Sequence, residues 1–578
     1  MSPTRVRPVN VLLAALAATV ATVAPGFGAD EPETTLSRLA LDRGFRGNGA
    51  TLARLGFDVV DQLAIDSAGR IVVAGAKRTL GEVETGIDVY APLVARLLPN
   101  GRVDRTFGAN GVTQPAALGR IGGLALGSRY RGEDEILVVG RFIDHSLHDL
   151  GAIRLFPDGA PDGSFGYGGT VRTDEITTGD WRFPAFDPTT GTVTVVVGDD
   201  PAGKTIRLTG DGAFDPSFGT GGLVSMDGFF LVAMAVDSEG RTVLSRLSRT
   251  DPRDPLSPQI REVVRLAADG SPDASYGGSG RLTGPGGGAV GASALDFDSG
   301  GRLVVRGQEE DGTLGFFRFL ADGSLDASFS DDGFAPVRIG VPGDVQGSET
   351  AFGVAAVADG AFVSSGGAEF LSRTMSQSVA GGFMVQSVDP AKPSELRSIV
   401  VRDPRPYRRA RTEIRSEAVA ADGSTVVVGG YTILTSGGHE RTQPVLARVD
   451  LVRSVAVPLP DVRIAQLSAA AESADGSFRL DVTIDLANDG PGAWRNGSVA
   501  MYLSDDDVLD PSDYLLGPWP TGPVRPGQTA RVRFRTGWFA IGDIPTVTGK
   551  RLLAQLNPNG WVLEAGGANP VVAAPAFP

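Results

Sequence analysis

The chain has 578 residues, 42% hydrophobic and 21% charged, with 68 acidic against 53 basic side chains and a formal net charge of −15. That balance marks a globular chain, and its field repels nucleic acid and anionic membrane surfaces, so no nucleic-acid partner is expected. There is no cysteine, so stability has to come from core and turns, and lipoprotein attachment is excluded.

Residues 1–28 read as a secretory signal: Arg5 and Arg7 supply charge, Val11 to Val23 an apolar run, and Gly26-Phe27-Gly28 a small-residue cleavage site before Ala29. The apolar run is short against the roughly 20 residues of a bilayer span. The expectation is a monomer without a membrane span, secreted, periplasmic or associated with the cell surface.

One stretch then organises most of the chain: Asp158-Gly159-Ala160-Pro161-Asp162-Gly163-Ser164-Phe165-Gly166, a D-G-x-x-D-x-x-F-G pattern. Its aromatic returns at Phe45, Phe107, Phe165, Phe218, Tyr276 and Phe329, at intervals of 62, 58, 53, 58 and 53 residues. Each complete copy follows a strand ending in Arg-Leu: Arg96-Leu97, Arg154-Leu155, Arg207-Leu208 and Arg265-Leu266 among them. Asp-Gly makes a turn in which Gly takes positive φ and Asp accepts from backbone N–H groups just ahead of it. The second Asp caps, and the aromatic is expected to be buried between neighbouring units.

Upstream of each turn runs a valine-rich strand ending in Gly, as in Arg70–Gly75, Glu135–Gly140, Thr192–Gly198, Arg302–Gly307 and Thr425–Gly430, with weaker versions at Arg241–Arg246 and Ala361–Gly366. With an apolar run before it and the Arg-Leu strand and a final strand after it, the unit holds four strands, the size of a propeller blade. The spacing predicts seven blades, with Gly49–Arg54 supplying the final-type strand that the last set, Glu417–Asp450, lacks. A ring closed by its own ends removes free sheet edges; an open solenoid is the alternative.

These motifs, from about Asp42 to Asp450, resemble the bacterial delta-60 repeat, which implies a β-propeller-like fold and no agreed activity. Asn100 replaces the first Asp, Tyr276 the Phe and Ser330 the Gly, and around Asp389–Leu396 the sixth unit loses the motif. The propeller is assigned to residues 29–455.

Residues 456–578 form a second domain. Phe478, Leu480, Val482, Ile484 and Leu486 alternate with Arg479, Asp481, Thr483 and Asp485, a strand with one buried face. Further strands follow at Val499–Leu503, Val532–Phe534 and Leu552–Leu556. Together with Asn488-Asp489-Gly490-Pro491-Gly492, Tyr502-Leu503-Ser504-Asp505 and Pro526-Gly527-Gln528, the region resembles CARDB, a cell-adhesion-related bacterial domain. That resemblance implies an immunoglobulin-like β-sandwich, so the whole chain reads as all-β: a seven-bladed β-propeller followed by the sandwich.

Few residues speak for chemistry. The recurring Asp residues are explained by turn capping. His145 and His148 have one other His in the chain, His439, too few for a zinc site or a Ser-His-Asp triad. The acidic run Asp505–Asp513 could offer Asp505, Asp507, Asp510 and Asp513 to calcium, but lacks the Gly and terminal Glu of an EF-hand loop; the alternative is a solvated turn. Trp494, Trp519 and Trp561 fall in loops expected at one end of the sandwich and could form an aromatic platform, or a secondary core. No other cofactor is indicated. The expectation is a non-enzymatic binding or adhesion protein for an extracellular protein or glycan. The alternatives are a hydrolase or lyase acting on an extracellular polysaccharide at the propeller channel, and a structural spacer of the envelope without ligand.

Overall fold

The computed structural model describes residues 35–577 apart from short stretches, the longest being 80–88, 143–149, 174–179, 250–258, 343–348, 372–377, 403–408, 541–546 and 564–570. The chain is all-β, and the repeat period becomes a series of antiparallel sheets. In the first, Val59–Ile65, Ile71–Thr79, Val89–Leu97 and Val112–Thr113 pair in sequence order. The second begins at Leu118–Tyr130, the third at Asp180–Phe186 and the fifth at Gly291–Phe297, each with four strands in the same order. The fourth pairs Phe230–Val236, Thr242–Arg249 and Gln259–Leu266, and an isolated bridge from Val264 to Arg281 stands where its last strand would be.

The sixth sheet comprises Glu349–Ala356, Phe362–Leu371, Ser378–Asp389 and Lys392–Arg402. Its last two strands join directly as a hairpin, Asp389 opposite Lys392, which leaves no room for the turn-and-aromatic motif and explains its loss there. Arg409–Val419, Thr425–Ser436 and His439–Pro458 make the seventh, whose outer strand is Thr35–Leu41 from the start of the chain. Thr35 to Leu41 runs antiparallel against Val449 to Pro458, and Arg38 also pairs with Ser398, which joins the sixth and seventh sheets edge to edge.

The ends therefore meet, but not through Gly49–Arg54. That segment is an α-helix, capped by the Asn48 side chain accepting from the Thr51 amide at 2.9 Å. Asn is a good cap, and Ala50, Leu52, Ala53 and Arg54 are strong helix formers, so local propensity outweighs the repeat pattern.

Core clusters bind each sheet to the next. Ala74 and Val94 of the first pack with Leu118 and Ile121 of the second; Leu137 and Val139 with Val193 and Ile206 of the third; Val196 with Leu244 of the fourth. Val243 and Val263 pack with Val305 and Phe317 of the fifth, Val304 and Phe316 with Phe362 of the sixth, and Val363 and Val385 with Ile414 and Val428 of the seventh. Val427 and Leu446 of the seventh return to Val60 and Leu63 of the first. The packing is cyclic.

The repeated motif forms the seams. Phe107, Phe165, Phe218 and Phe329 are fully buried, and Tyr276 is 1% exposed. Over each ring lies the guanidinium of the preceding strand's Arg, 4.1 to 5.0 Å from its centroid: Arg96, Arg154, Arg207, Arg265 and Arg318. The same Arg donates through Nε to the second motif Asp: Asp104, Asp162, Asp215, Asp273 and Asp326, at 2.7 to 2.9 Å. Its Nη1 crosses to a carbonyl of the next sheet's turn, that of Pro157 for Arg96, Gly210 for Arg154, Ala268 for Arg207 and Ala321 for Arg265. The turn glycine of the next sheet lies flat on the ring: Gly159 has φ +88°, and a Cβ there would come within 2.9 Å of Phe107. Closure repeats this clamp between the two ends of the chain, with Arg448 pairing with Asp42, stacking 4.8 Å from the Phe45 centroid and reaching the Pro99 carbonyl.

The strand His439–Pro458 runs past residue 455, and only Leu459–Asp461 separate it from Val462–Ala474. Two sheets follow. One orders Val462–Ala474, Ser477–Asn488 and Thr529–Arg535, with Phe539–Ala540 beside Ser477–Asn488; the other orders Tyr514–Pro520, Ser498–Ser504, Arg551–Leu556 and Val572–Ala573. Leu480, Val482 and Ile484 of the first sheet face Val499, Met501 and Leu552 of the second across one core. A short parallel pairing of Val341–Pro342 with Val562–Leu563 ties this part back to the repeats.

Candidate functional site

The expected tryptophan platform does not assemble. Trp494 is fully buried, and its Nε1 donates to the Thr521 hydroxyl at 2.8 Å, so it belongs to the core between the two C-terminal sheets. Trp519 lies in the strand Tyr514–Pro520 and not in a loop; that strand is a sheet edge, where flanking prolines are tolerated, and its ring packs half-buried 6.4 Å from that of Phe534. Trp561 is outside the described residues, as are His145 and His148. Among the described residues the exposed tryptophan is Trp538, at 47%, with the Arg479 guanidinium 4.7 Å from its ring centroid. Trp538 precedes the short strand Phe539–Ala540, whose Phe539 packs on Phe478.

The acidic run also fails to converge. Asp505 pairs with Lys550 at 2.8 Å, Asp510 Oδ1 accepts from the Ser512 amide at 2.7 Å, and Asp513 Oδ2 from the Asp510 amide at 2.9 Å. Asp507 is exposed. Among the described residues no three His, Asp or Glu side chains gather as a metal site would require. Asp505, Asp510 and Asp513 are spent on backbone and lysine partners.

What the structure does gather lies at the centre of the ring. The first strands of successive sheets are neighbours all the way round, and each carries a β-bulge: between Val60 and Gln62, Ile121 and Gly123, Arg182 and Ala185, Leu231 and Ala233, Ala292 and Ala294, Ala351 and Gly353, and Ile414 and Ser416. Bulges re-aim side chains and are common beside sites. Arg415, the bulge residue of the seventh sheet, donates from Nη2 to Glu413 Oε2 and to the Tyr431 hydroxyl, both at 2.6 Å; that hydroxyl donates to the same carboxylate at 2.8 Å. The charge of the Asp61 carboxylate, on the first sheet, also acts on this guanidinium. Arg415 remains 35% exposed, a fixed cationic fork able to donate to a hydroxyl or carboxylate at the ring centre.

A second group surrounds the sixth sheet. Asp296 accepts from the Phe297 amide at 2.8 Å and from the Ala356 amide of the sixth sheet at 2.9 Å. Glu417 accepts through Oε2 from the Ser365 hydroxyl, and its Oε1 is buried without a hydrogen-bond partner. Burial pushes the Glu417 carboxyl up to about 7, against the Ser365 hydrogen bond and the charge of Arg306, with Asp296 adding to the rise. Burial likewise raises the Asp296 carboxyl, despite the two amides. Neither acid had a sequence motif to announce it. The available signal was the repeat itself, because aligned by their bulges the first strands place Ala64, Ala125, Ala235, Ala355 and Ala418 where Asp296 stands, and Leu63, Leu124, Met234, Leu295 and Val354 where Glu417 stands.

No family model matches this chain, and no curated protein matches it. Among solved structures, a Dyadobacter fermentans protein of unknown function overlays on 72% of this chain and 99% of its own, at 11% identity and TM-score 0.34. The Dos1 propeller covers 73% and 95%, at 8% identity and TM-score 0.34. The periplasmic gluconolactonase of Pseudomonas aeruginosa covers 68% and 98%, at 14% identity and TM-score 0.29. Overlaps of this size transfer no activity to the present chain.

Proposed function

We propose that this chain is an exported seven-bladed β-propeller bearing an immunoglobulin-like sandwich, and that it binds an extracellular protein or glycan without transforming it. The observation that carries the reading is where the repeated charges go. Arg96, Arg154, Arg207, Arg265, Arg318 and Arg448 each hold a motif Asp and stack on the motif aromatic. The sequence's most regular polar residues therefore build a rigid ring, and Arg415 is left at its centre as a held but accessible donor. Rigid scaffolds presenting a few fixed polar groups suit recognition.

The test is a glycan and envelope-polysaccharide array probed with the mature protein from Ala29, beside Arg415→Ala. Saturable binding weakened tenfold or more by the substitution, with melting unchanged, supports the reading. Absence of binding to every arrayed glycan and to envelope proteins would leave the spacer reading instead. A second reading has one observation in its favour: Asp296 and Glu417, from different sheets, share one electrostatic environment with Arg306, as acid and base groups of a hydrolase or lyase would. New reducing or unsaturated ends released from an envelope polysaccharide, and abolished by Glu417→Gln, would establish it over binding alone.

A further inference from the structure

At the seam between the sixth and seventh sheets the repeat's paired Arg–Asp clamp gives way to a buried carboxyl, Glu417, without an Arg hydrogen bond among the described residues. On the seventh sheet's first strand, Glu417 occupies the level that Leu63 fills in the first sheet, where Leu63 packs into an apolar cluster. Glu417 points instead at Ser365, which is 2% exposed and stands where the first sheet has Ala74. Around them Ser364, Gln386, Ser387 and Arg306 are all nearly or fully buried, at 1 to 4% exposed. Gln386 Oε1, like Glu417 Oε1, has no hydrogen-bond partner. A buried carboxylate oxygen without a donor is costly when ionised and tolerable when protonated.

We infer that Glu417 is a proton-operated latch on this seam: protonated, it is a neutral hydrogen-bonding group that lets the sixth and seventh sheets close; ionised, it loosens them. The charged groups facing it fix the direction. Asp296, on the fifth sheet, disfavours a second negative charge, and Arg306, on the same sheet, favours it. From its own strand come Glu413 and Arg415, which neutralise each other. The first sheet's facing strand contributes Asp61, whose charge acts on Arg415, and the Leu63 amide, which donates to the Ser416 hydroxyl oxygen at 2.9 Å. Among the described side chains, the sixth sheet's strands Phe362–Leu371 and Ser378–Asp389 bring the neutral Ser365, Gln386 and Ser387 to this level. Arg306 is the cation acting on Glu417, and burial raises the carboxyls of both Glu417 and Asp296.

With a folded-state value raised from 4.5 to about 7, the stabilisation is fully present below 4.5 and is lost as pH rises through about 7. The experiment follows hydrogen exchange of the full chain at pH 5, 6, 7 and 8, after correction for intrinsic rates, and reads residues 362–371 and 409–419 against residues 71–79 of the first sheet. Protection at the two seam segments is expected to fall roughly tenfold or more from pH 5 to 8, while residues 71–79 change little. Glu417→Gln is expected to flatten the seam's pH response, and Glu417→Leu, restoring the residue of the first sheet, to flatten it and raise protection at pH 8. Equal pH dependence of wild type and Glu417→Gln at the seam overturns the inference. So does a fall in protection that is uniform over the three segments. Should Glu417→Leu fail to fold, Ser365→Ala supplies the second arm: its pH response at the seam is expected to differ from wild type, and an identical response overturns the latch.

Discussion

The seams among the first five sheets and the seam around the sixth solve the same packing problem with opposite chemistry. In the regular seams an aromatic ring lies between an Arg guanidinium and the next sheet's turn glycine, and the guanidinium is neutralised by an Asp within hydrogen-bond range. Every charge there has its partner. Among the described residues no such clamp spans the sixth and seventh sheets, the Arg318–Phe329 stack of the fifth sheet meets the ring of Phe362 rather than a turn glycine, Phe362 also packs on Phe316 at 4.9 Å, and burial raises the interior carboxyls of Asp296 and Glu417. Interior charge is cheap where it is paired and hydrogen-bonded and expensive where it is not. The regular seams should therefore hold the ring together, and the irregular one should be where it gives.

The largest test of that contrast is closure. Removing residues 29–41 deletes the strand that pairs with Val449 to Pro458 and uncovers a long sheet edge. The expected result is loss of a single cooperative melting transition, with aggregation on heating, followed by calorimetry and light scattering. An unchanged profile would mean that the ends do not hold the ring.

Next in size is Phe165→Ala in a regular seam, which removes a fully buried ring and the surface on which Arg154 stacks. A loss of ~3–5 kcal/mol in denaturant unfolding is expected. Ser365→Ala in the irregular seam should cost no more than about 1 kcal/mol at pH 5, because the lost donor serves a carboxyl that can stay neutral there. A comparable loss at both sites would erase the distinction.

The two kinds of seam should also answer pH with opposite signs. Burial pushes the Asp162 carboxyl up, but the Ser164 hydroxyl and amide and the Arg154 guanidinium outweigh it, and the group ends below its ordinary 3.8; Asp104, Asp215 and Asp326 behave alike. A depressed carboxyl contributes stability above 3.8 that is lost as pH falls through its folded value. Global melting should therefore drop below about pH 4, and Asp162→Asn should shrink that drop. Glu417 works in the other window, between 4.5 and about 7. The smallest expected effect is that of calcium. With Asp505, Asp510 and Asp513 bonded to Lys550, Ser512 and the Asp510 amide, millimolar calcium should leave the melting temperature where it was. A rise of several degrees would show that the turn reorganises around the ion.

The sequence by itself determined the strand content, the period, the buried aromatics and the turns, because each depends on local pattern: valine alternation, Asp-Gly at positive φ, and a large ring at a fixed offset. It also located the sixth unit as the divergent one, since a missing motif is visible without any coordinates. Tertiary structure alone decided three things. Which strand closes the ring was decided by pairing between residues some 400 positions apart, and the local helix signal at Asn48 concealed it. Whether a tryptophan is exposed was decided by packing between the two C-terminal sheets, which buried Trp494, half-buried Trp519 and left Trp538 outside. Finally, the company of Asp296, Arg306 and Glu417 follows from cyclic packing, because it brings together residues of the fifth and seventh sheets that no spacing along the chain relates. Local propensity reads over a few residues; desolvation and charge depend on what the fold places alongside.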